Sequence, residues 1–511
     1  MRILGLNPGH DGAAALLEDG RLAWSLEAEK DSFPRNSATS VVTVMQSLRD
    51  LGSPPDAIAV GGWYRSPRPG VFDFDAGYYG LQDPVIKSSR IFGSQCQVVS
   101  SSHERSHLFM CLGMAPESYD ECALLVWEGA IGAFYHTVDG GCTFERTSVM
   151  HGPGHRFGFL YCLADPRFDD GSVPLDVAGK LMALAAFGDA RRAGREAGQV
   201  VSRLLCADSA YSLEKADFED SPLLNCGLDS EALHDAARLL TDRLFERFQD
   251  AALAGLPTSI PLLIGGGCGL NCEWNSRWHD LGHFASVFVP PCPNDSGSAI
   301  GSAIDAQQAL GGGTAIQWSV AAGADFSEDV VPAGWSPQPL SSDSLAQLLA
   351  AGEIIPFVQG RCEVGPRALG HRSLLASPLD PSMTRMLNKL KHREAYRPIA
   401  PCCRAEDYGL YFEGRPDPFM LYFSRVIDPR IPAVTHVDGS ARVQVVDHDA
   451  PANLDALLKS FGDISGVAVL CNTSLNFPGR GFINRISDLV SFCEVNALRT
   501  FVVDDAVWHR R

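Results

Sequence analysis

No Cys-x-x-Cys pair occurs among the fifteen cysteines of this 511-residue chain. Their number is odd and their spacing follows no repeating framework, so neither a disulfide scaffold nor a cysteine-based zinc module is indicated. The adjacent Cys402 and Cys403 read as structural. Positive charge is scarce as well. Lys and Arg total 42 against 61 Asp and Glu, a formal charge of −19, which argues against a general binder of nucleic acid or anionic membrane. A local basic pocket for a phosphorylated ligand stays open. No stretch approaches the ~18 uninterrupted apolar residues of a membrane-spanning helix. There is no long low-complexity tract and no repeat of 20–50 residues. The strand-like opening MRILGL has neither the basic nor the apolar region of a secretory leader. The expectation is a cytoplasmic protein with reduced thiols, and with neither nucleic acid nor membrane as partner.

What is present suits a globular protein: 45 % hydrophobic and 20 % charged residues, with length for two to four domains. Strands are predicted over 2–6 and 13–18, and over Leu22–Glu27 after the hairpin signal Asp19-Gly20. Similar signals recur at Ala123–Trp127, Leu262–Gly265 and Ser286–Val289, with helical stretches between them, which implies an α/β fold. Over Glu231–Ala254, Leu233, Ala237, Leu240, Leu244 and Phe248 form one helical stripe, read as core packing. From Gly311 to about 345, glycine, proline and serine indicate loop and linker, placed at 336–350. A helix at 342–351 and a strand at 353–358 then start a second unit over 351–511, following a first over 1–335.

His103 and His107 stand four apart in SSHERSHLFMCLG, on one face of a predicted helix that the serines can cap. At that spacing two imidazoles can grip one ion, although a solvated or structural pair is the plainer alternative. Asp295 opens the helical DSGSAIGSA, either as a ligand or as an ordinary N-cap. Two histidines and one aspartate suit iron, manganese or zinc. Glu128, after the Ala123–Trp127 strand, is a candidate fourth ligand or a solvent-facing charge. His10 and Asp11 lie in the glycine-rich first turn, as candidate catalytic groups or as hydrogen-bonded turn residues. Gly265, Gly266 and Asn271 can let phosphate or ribose approach the backbone, or merely make a turn. Lys180 adds a charge for a phosphate, or is solvated.

Residues 361–404 hold nine Lys or Arg against three Asp or Glu. Arg367, Arg372, Lys391, Arg393 and Arg397 are interleaved with glycine and proline, so they form no amphipathic helix face. Guanidinium forks match phosphate oxygens and lysine adds a point charge; pairing with surface acids is the alternative. Arg442 in HVDGSAR, and Asn472, Thr473 and Ser474 after a predicted strand at 466–470, can add phosphate or ribose contacts, or only a polar turn.

GLNPGHDGAAALLEDG, the His103/His107 pair, GKLMALAAFG, GGGCGLN, PNDSGSAIGSA, GPRALGHRS, THVDGSARVQ and NTSLN occur in this order. Together they resemble the nodulation-protein-U/cephalosporin O-carbamoyltransferase family over nearly the whole chain. The resemblance implies an α/β fold with an N-terminal actin/Hsp70/sugar-kinase-like (Kae1-like) domain, followed by a smaller α+β YrdC/Sua5-like domain. It implies Fe(II) or another divalent metal on residues matching His103, His107 and Asp295. It also implies ATP, with Mg, and carbamoyl phosphate as co-substrates that form carbamoyl adenylate. The carbamoyl group would pass to a hydroxyl of a small natural product, as in antibiotic biosynthesis. Apart from the resemblance, His10, as an imidazole able to titrate near neutrality, is expected to be the base, or else to bind phosphate. Rival readings are an actin-fold ATPase or kinase and a threonylcarbamoyl-type tRNA-modifying enzyme. The sequence departs from the family pattern at Glu128-Gly129, where Asp-Gly is usual, and at Gly479-Arg480-Gly481-Phe482, where Gly-Glu-Pro-Ile is usual. Acceptor choice is expected in the 62–95 loop with Trp63, Tyr64, Phe72, Phe74, Tyr78 and Tyr79, whose rings can stack on a ligand or pack the loop. A homodimer is the usual prior for oligomeric state.

Overall fold

The computed structural model describes residues 1–62, 76–91, 93–168 and 172–511. The chain forms two compact units, one of Met1–Met114 with Asp295–Arg511, the other of Ala115–Asn294.

The first unit begins with β1 (Arg2–Asn7), β2 (Ala13–Glu18), β3 (Arg21–Glu27), β4 (Ala57–Gly62), β5 (Val85–Ile91) and β6 (Ser94–Ser102). They form one sheet in the order β3-β2-β1-β4-β6-β5. β1, β2 and β3 are an antiparallel meander, and β4 and β6 add on in parallel. Asp19 and Gly20 both have positive φ, at 49° and 78°, as a tight two-residue hairpin requires. The helix Ser298–Ala309 lies against β1. A Cβ on Gly5 would run into the Ala299 carbonyl, so this close approach needs glycine.

In the second unit β7 (Cys122–Trp127), β8 (Gly132–Thr137), β9 (Glu145–Ser148), β10 (Leu262–Gly265) and β11 (Val287–Phe288) are ordered β11-β10-β7-β8-β9. Again three strands meander antiparallel and two follow in parallel on the first of them. One arrangement, an antiparallel three-stranded meander extended by parallel strands, is thus used in both sheets of a mixed α/β chain. The helix Glu231–Gly255 buries Leu233, Ala237, Leu240, Leu244 and Phe248, the stripe legible in the sequence. Phe248 meets Trp127, which also packs on Trp274.

The remaining strands of the first unit are β12 (Trp335–Pro339), β13 (Ile355–Val358), β14 (Arg372–Ala376), β15 (Ala400–Arg404), β16 (Phe412–Gly414), β17 (Ser424–Val426), β18 (Ser440–Ala441), β19 (Gln444–Val446), β20 (Val469–Ser474), β21 (Thr500–Val503) and β22 (Ala506–Arg510). Eight form a mixed sheet, β12-β22-β21-β13-β14-β20-β15-β19, and β16, β17 and β18 form a small one. The segment 336–350, expected as a linker, carries ordered structure. Trp335–Pro339 pairs with β22 despite its prolines because it is the edge strand, where a missing N–H goes unnoticed. The helix Ser342–Ala350 buries Leu345 and Leu349 against Leu457 and Phe461 of the helix Ala452–Ser465. Asn472, Thr473 and Ser474 lie within β20 rather than after it, because β14 and β15 pair with that strand on both sides.

The segment after β3 is laced to the C-terminal part of the same unit. Pro34 bridges Arg480, and the Arg35 and Gly481 amides donate to Gly479 and Phe33 carbonyls at 3.0 and 2.8 Å. The Arg480 guanidinium donates to the Ser32 carbonyl at 2.9 Å. The departure at Gly479–Phe482 therefore falls on a contact between two remote segments of the chain. A Cβ at Gly481 would strike the Glu29 carbonyl.

Candidate metal and anion sites

The helix His103–Met114 is buried along its whole length. The Ser102 hydroxyl accepts from the Arg105 amide at 3.0 Å, the cap that the flanking serines suggest. Four-residue spacing brings His103 and His107 Nε2 to 3.2 Å. Asp295, in the turn before the helix Ser298–Ala309, places Oδ1 3.5 Å from the first and 3.3 Å from the second. All three are buried, and their ligand atoms lie within 4.8 Å of one another. Donors about 2.0–2.2 Å from a shared ion stand about 3.0–3.5 Å apart. Three buried lone-pair atoms converging at that spacing, two of nitrogen and one of oxygen, fit a divalent transition metal.

Burial pushes the Asp295 carboxyl up, but His103, His107 and His10 outweigh it and hold the group well below its ordinary range. His10 Nδ1 lies 3.4 Å from Asp295 Oδ2 and 3.3 Å from Asp11 Oδ2. Burial lowers the His10 pKa, yet Asp11 and Asp295 raise it above its ordinary value on balance. Asn7 Nδ2 donates to the Asp295 carbonyl at 2.9 Å and the Asp11 carbonyl at 3.3 Å, and Asn36 Nδ2 to Asp11 Oδ1 at 2.7 Å. Asp11 is held at φ 48°, a strained position for a residue with a Cβ.

The cationic residues of the C-terminal part converge around β20. Lys391 is buried, and its Nζ contacts the Ser474 carbonyl and Asn476 Oδ1, with the Asn476 carbonyl at 3.1 Å. Burial lowers its pKa well below the ordinary value, helped by Arg393, Arg35 and Arg397. Burial also presses Arg393 and Arg397 down, and Arg442 acts on both. Arg393 Nη1 reaches Thr473 Oγ1 at 3.5 Å. Among the described residues, the buried Nε atoms of Arg393 and Arg442 meet no acceptor. Arg397 lies 3.8 Å from Glu394, and Arg35 lies 3.8 Å from Glu29. Like charges held together in a buried setting favour a bound anion. Arg35 escaped the sequence reading: it is remote in the chain, and the contacts of residues 32–35 with Gly479–Gly481 bring it here.

Other candidate residues have partners inside the fold. Arg372, fully buried, donates to Asn484 Oδ1 at 3.0 and 2.6 Å and to the Gln359 and His371 carbonyls. Asn472 Nδ2 donates to Gln444 Oε1 and the Ala368 carbonyl. Asn271 caps the helix Cys272–Asp280 by accepting from Trp274. Gly265 ends β10, and a Cβ on Gly266 would run into the Trp127 carbonyl. Lys180 pairs with Asp176 at 2.8 Å, one helical turn away. Glu128 is buried just past β7 in the second unit. Arg367 is half-buried in the loop before β14. Trp63, Tyr64, Phe72 and Phe74 lie outside the described residues, whereas the Tyr78 ring stacks on His103.

Comparison with known proteins assigns the chain. The family model described as carbamoyltransferase N-terminus matches residues 85–304, and that described as carbamoyltransferase C-terminus matches 346–510. Curated relatives named 3'-hydroxymethylcephem-O-carbamoyltransferase, from Streptomyces clavuligerus and Amycolatopsis lactamdurans, are 51 % and 50 % identical, each alignment covering 100 % of this chain and 99 % of the relative. Nodulation protein U of Sinorhizobium fredii is 34 % identical over 94 % of this chain and 95 % of its own. The chain belongs to the nodulation-protein-U/cephalosporin O-carbamoyltransferase family.

As a member of that family it is a transferase of carbamoyl groups. A solved archaeal actin homolog matches 60 % of this carbamoyltransferase and 100 % of its own chain, at 12 % identity and a TM-score of 0.28, a likeness too slight to carry an argument. Among the described residues, no helix of the carbamoyltransferase is long and apolar enough to cross a membrane, and all fifteen cysteines are free thiols.

Proposed function

We propose that this carbamoyltransferase makes carbamoyl adenylate from carbamoyl phosphate and ATP, then transfers the carbamoyl group to the hydroxymethyl group of a cephem, a step of antibiotic biosynthesis. Near-identity in length with 3'-hydroxymethylcephem-O-carbamoyltransferases, at half the residues, carries this reading. The halves 1–335 and 351–511 are proposed as the transfer and adenylate-forming domains, the latter YrdC-like.

Carbamoyl phosphate and ATP are both anions, and Lys391, Arg393, Arg397 and Arg442, with Arg35 beside them, form the pocket that binds their phosphates, to which Arg367 is proposed as a further contributor. Burial keeps Lys391 poorly hydrated, so its contact to phosphate is stronger than it would be in water. Thr473 and Ser474 add hydroxyls at the edge of β20. In activation water releases phosphate from carbamoyl phosphate, the carbamate oxygen so freed attacks the α-phosphorus of ATP, and pyrophosphate departs, which leaves AMP as a good leaving group on the carbamoyl carbon. In the transfer step the acceptor oxygen attacks the carbamoyl carbon and AMP departs. His10 takes the hydroxyl proton on its imidazole, held by Asp11 and Asp295. Both carboxylates favour the imidazolium that forms. His103, His107 and Asp295, with Glu128 as the proposed fourth ligand, would hold an iron-type divalent ion, which would supply Lewis-acid polarisation of the carbamoyl carbonyl.

AMP and pyrophosphate should form only when carbamoyl phosphate is added to protein and ATP, and a carbamoylated cephem only when the acceptor is present. ADP in place of AMP, or indifference to carbamoyl phosphate, would refute the adenylate route and favour a kinase.

A further inference from the structure

The helix that carries both imidazoles starts beneath a short strap, Gly77–Leu81. The His103 and Glu104 amides donate to the Gly77 and Tyr78 carbonyls at 3.3 and 3.0 Å. The Glu104 carboxylate accepts from the Gly80 amide at 2.7 Å, and the Ser102 hydroxyl donates to the Gly80 carbonyl at 2.6 Å. Arg105 Nη1 donates to the Leu81 carbonyl at 3.0 Å. A Cβ on Gly62 would run into the Gly77 carbonyl, so β4 leaves the strap no slack. These bonds set the Tyr78 ring on the His103 imidazole, centroids 4.4 Å apart and planes 26° from parallel. On another side His107 meets the same imidazole edge-on, at 4.7 Å and 89°. Stacking resists rotation of the imidazole out of this plane, and the plane decides where Nε2 points.

Arg105 makes a second link. Its fork donates to Asp305 through Nε at 2.9 Å and Nη2 at 2.6 Å, and both residues are buried. Asp305 lies on the helix Ser298–Ala309, which follows directly from the Asp295 turn. A Cβ on Gly301 would strike the Ser106 carbonyl, so these two helices touch backbone to backbone. The ion pair therefore ties the element bearing His103 and His107 to the element bearing Asp295.

We infer that Tyr78 is a positioning residue of the transfer centre: its ring fixes the plane of the His103 imidazole, while the Arg105–Asp305 pair fixes the register of the two ligand-bearing helices. The inference rests on the reading of His103, His107 and Asp295 as metal ligands. A tyrosine that merely packed the strap would affect stability and leave a bound ion's geometry alone. Outer partners that orient metal-ligating histidines are worth about 10–100-fold in metal affinity.

The test is titration of metal-free, full-length protein with Co(II), read by its visible d–d absorption, for wild type, Tyr78→Phe, Tyr78→Leu, Arg105→Lys and His107→Ala. Tyr78→Phe keeps the ring and should keep the wild-type spectrum and affinity. Tyr78→Leu should change the d–d bands and weaken Co(II) by about 10–100-fold with little change in melting temperature. Tyr78→Leu with the wild-type spectrum and affinity would overturn the inference. Should Tyr78→Leu fail to fold, Arg105→Lys, which keeps the charge and loses the fork, decides by the same two readouts. Wild type binding no Co(II), or His107→Ala binding it unchanged, would instead bring down the metal reading beneath it.

Discussion

Replacing Asp417 by asparagine should remove a pH-dependent weakness of calculable size. The Asp417 carboxyl is buried in the loop between β16 and β17, where Oδ2 accepts from the Leu421 amide at 2.7 Å and the Phe419 amide at 3.2 Å. Burial raises its pKa from 3.8 to about 6, against the pull of these amides and of Arg415. The rise is about 2 units, and at 1.36 kcal/mol per unit it corresponds to about 3 kcal/mol. The folded pKa exceeds the unfolded one, so folding favours the protonated form. The contribution is fully present below about pH 4 and is lost as pH rises through about 6. Asparagine keeps an oxygen for both amides and does not titrate. The stability of Asp417→Asn relative to wild type should therefore climb by about 2.5 kcal/mol between pH 4 and pH 8, most steeply between about pH 4 and pH 6 and hardly at all above that. Urea unfolding of both proteins at half-unit pH intervals, followed by a probe in the C-terminal part, measures the difference. A flat difference across the interval would show that the carboxyl is not held protonated and would refute the argument.

Asp295→Ala should abolish carbamoyl transfer and leave carbamoyl-phosphate-dependent AMP formation intact, measured as separate product yields; loss of both would sink the division of labour. Lys391→Met should weaken pyrophosphate binding by about 10–100-fold, the worth of one charge-assisted hydrogen bond, in isothermal titration calorimetry. Because burial and Arg393 depress the Lys391 pKa, pyrophosphate binding to wild type should take up protons, seen as a heat that varies with the buffer's ionisation enthalpy. Arg372→Met should destabilise the fold by more than about 2 kcal/mol by stranding Asn484 Oδ1, which chemical denaturation would register.

Where residues close in sequence make the structure, the sequence was legible. The Asp19-Gly20 hairpin, the Leu233–Phe248 stripe and the His103/His107 face each follow from a local period or turn. The convergence of His10, Asp11, Asp295 and the two histidines was legible only as motifs in order, since nothing local says that residue 295 meets residue 103. The expected linker at 336–350 misled because Pro337 and Pro339 signal a loop, while the edge of a sheet tolerates them. Arg372 has the composition of an anion ligand, but Asn484, 112 residues on, claims its guanidinium.

The sequence by itself determined membership of a carbamoyltransferase family, the α/β character and the types of side chain available for chemistry. Those follow from residue identity, period and motif order, which need no folding to be read. Tertiary structure alone decided which cations gather: Arg35 joins Lys391, Arg393 and Arg397 through the contacts of residues 32–35 with Gly479–Gly481. It also decided which of them are buried, and so how strongly each is held from its ordinary pKa. Desolvation and charge proximity depend on distances between residues hundreds of positions apart, and only the packed chain sets those distances.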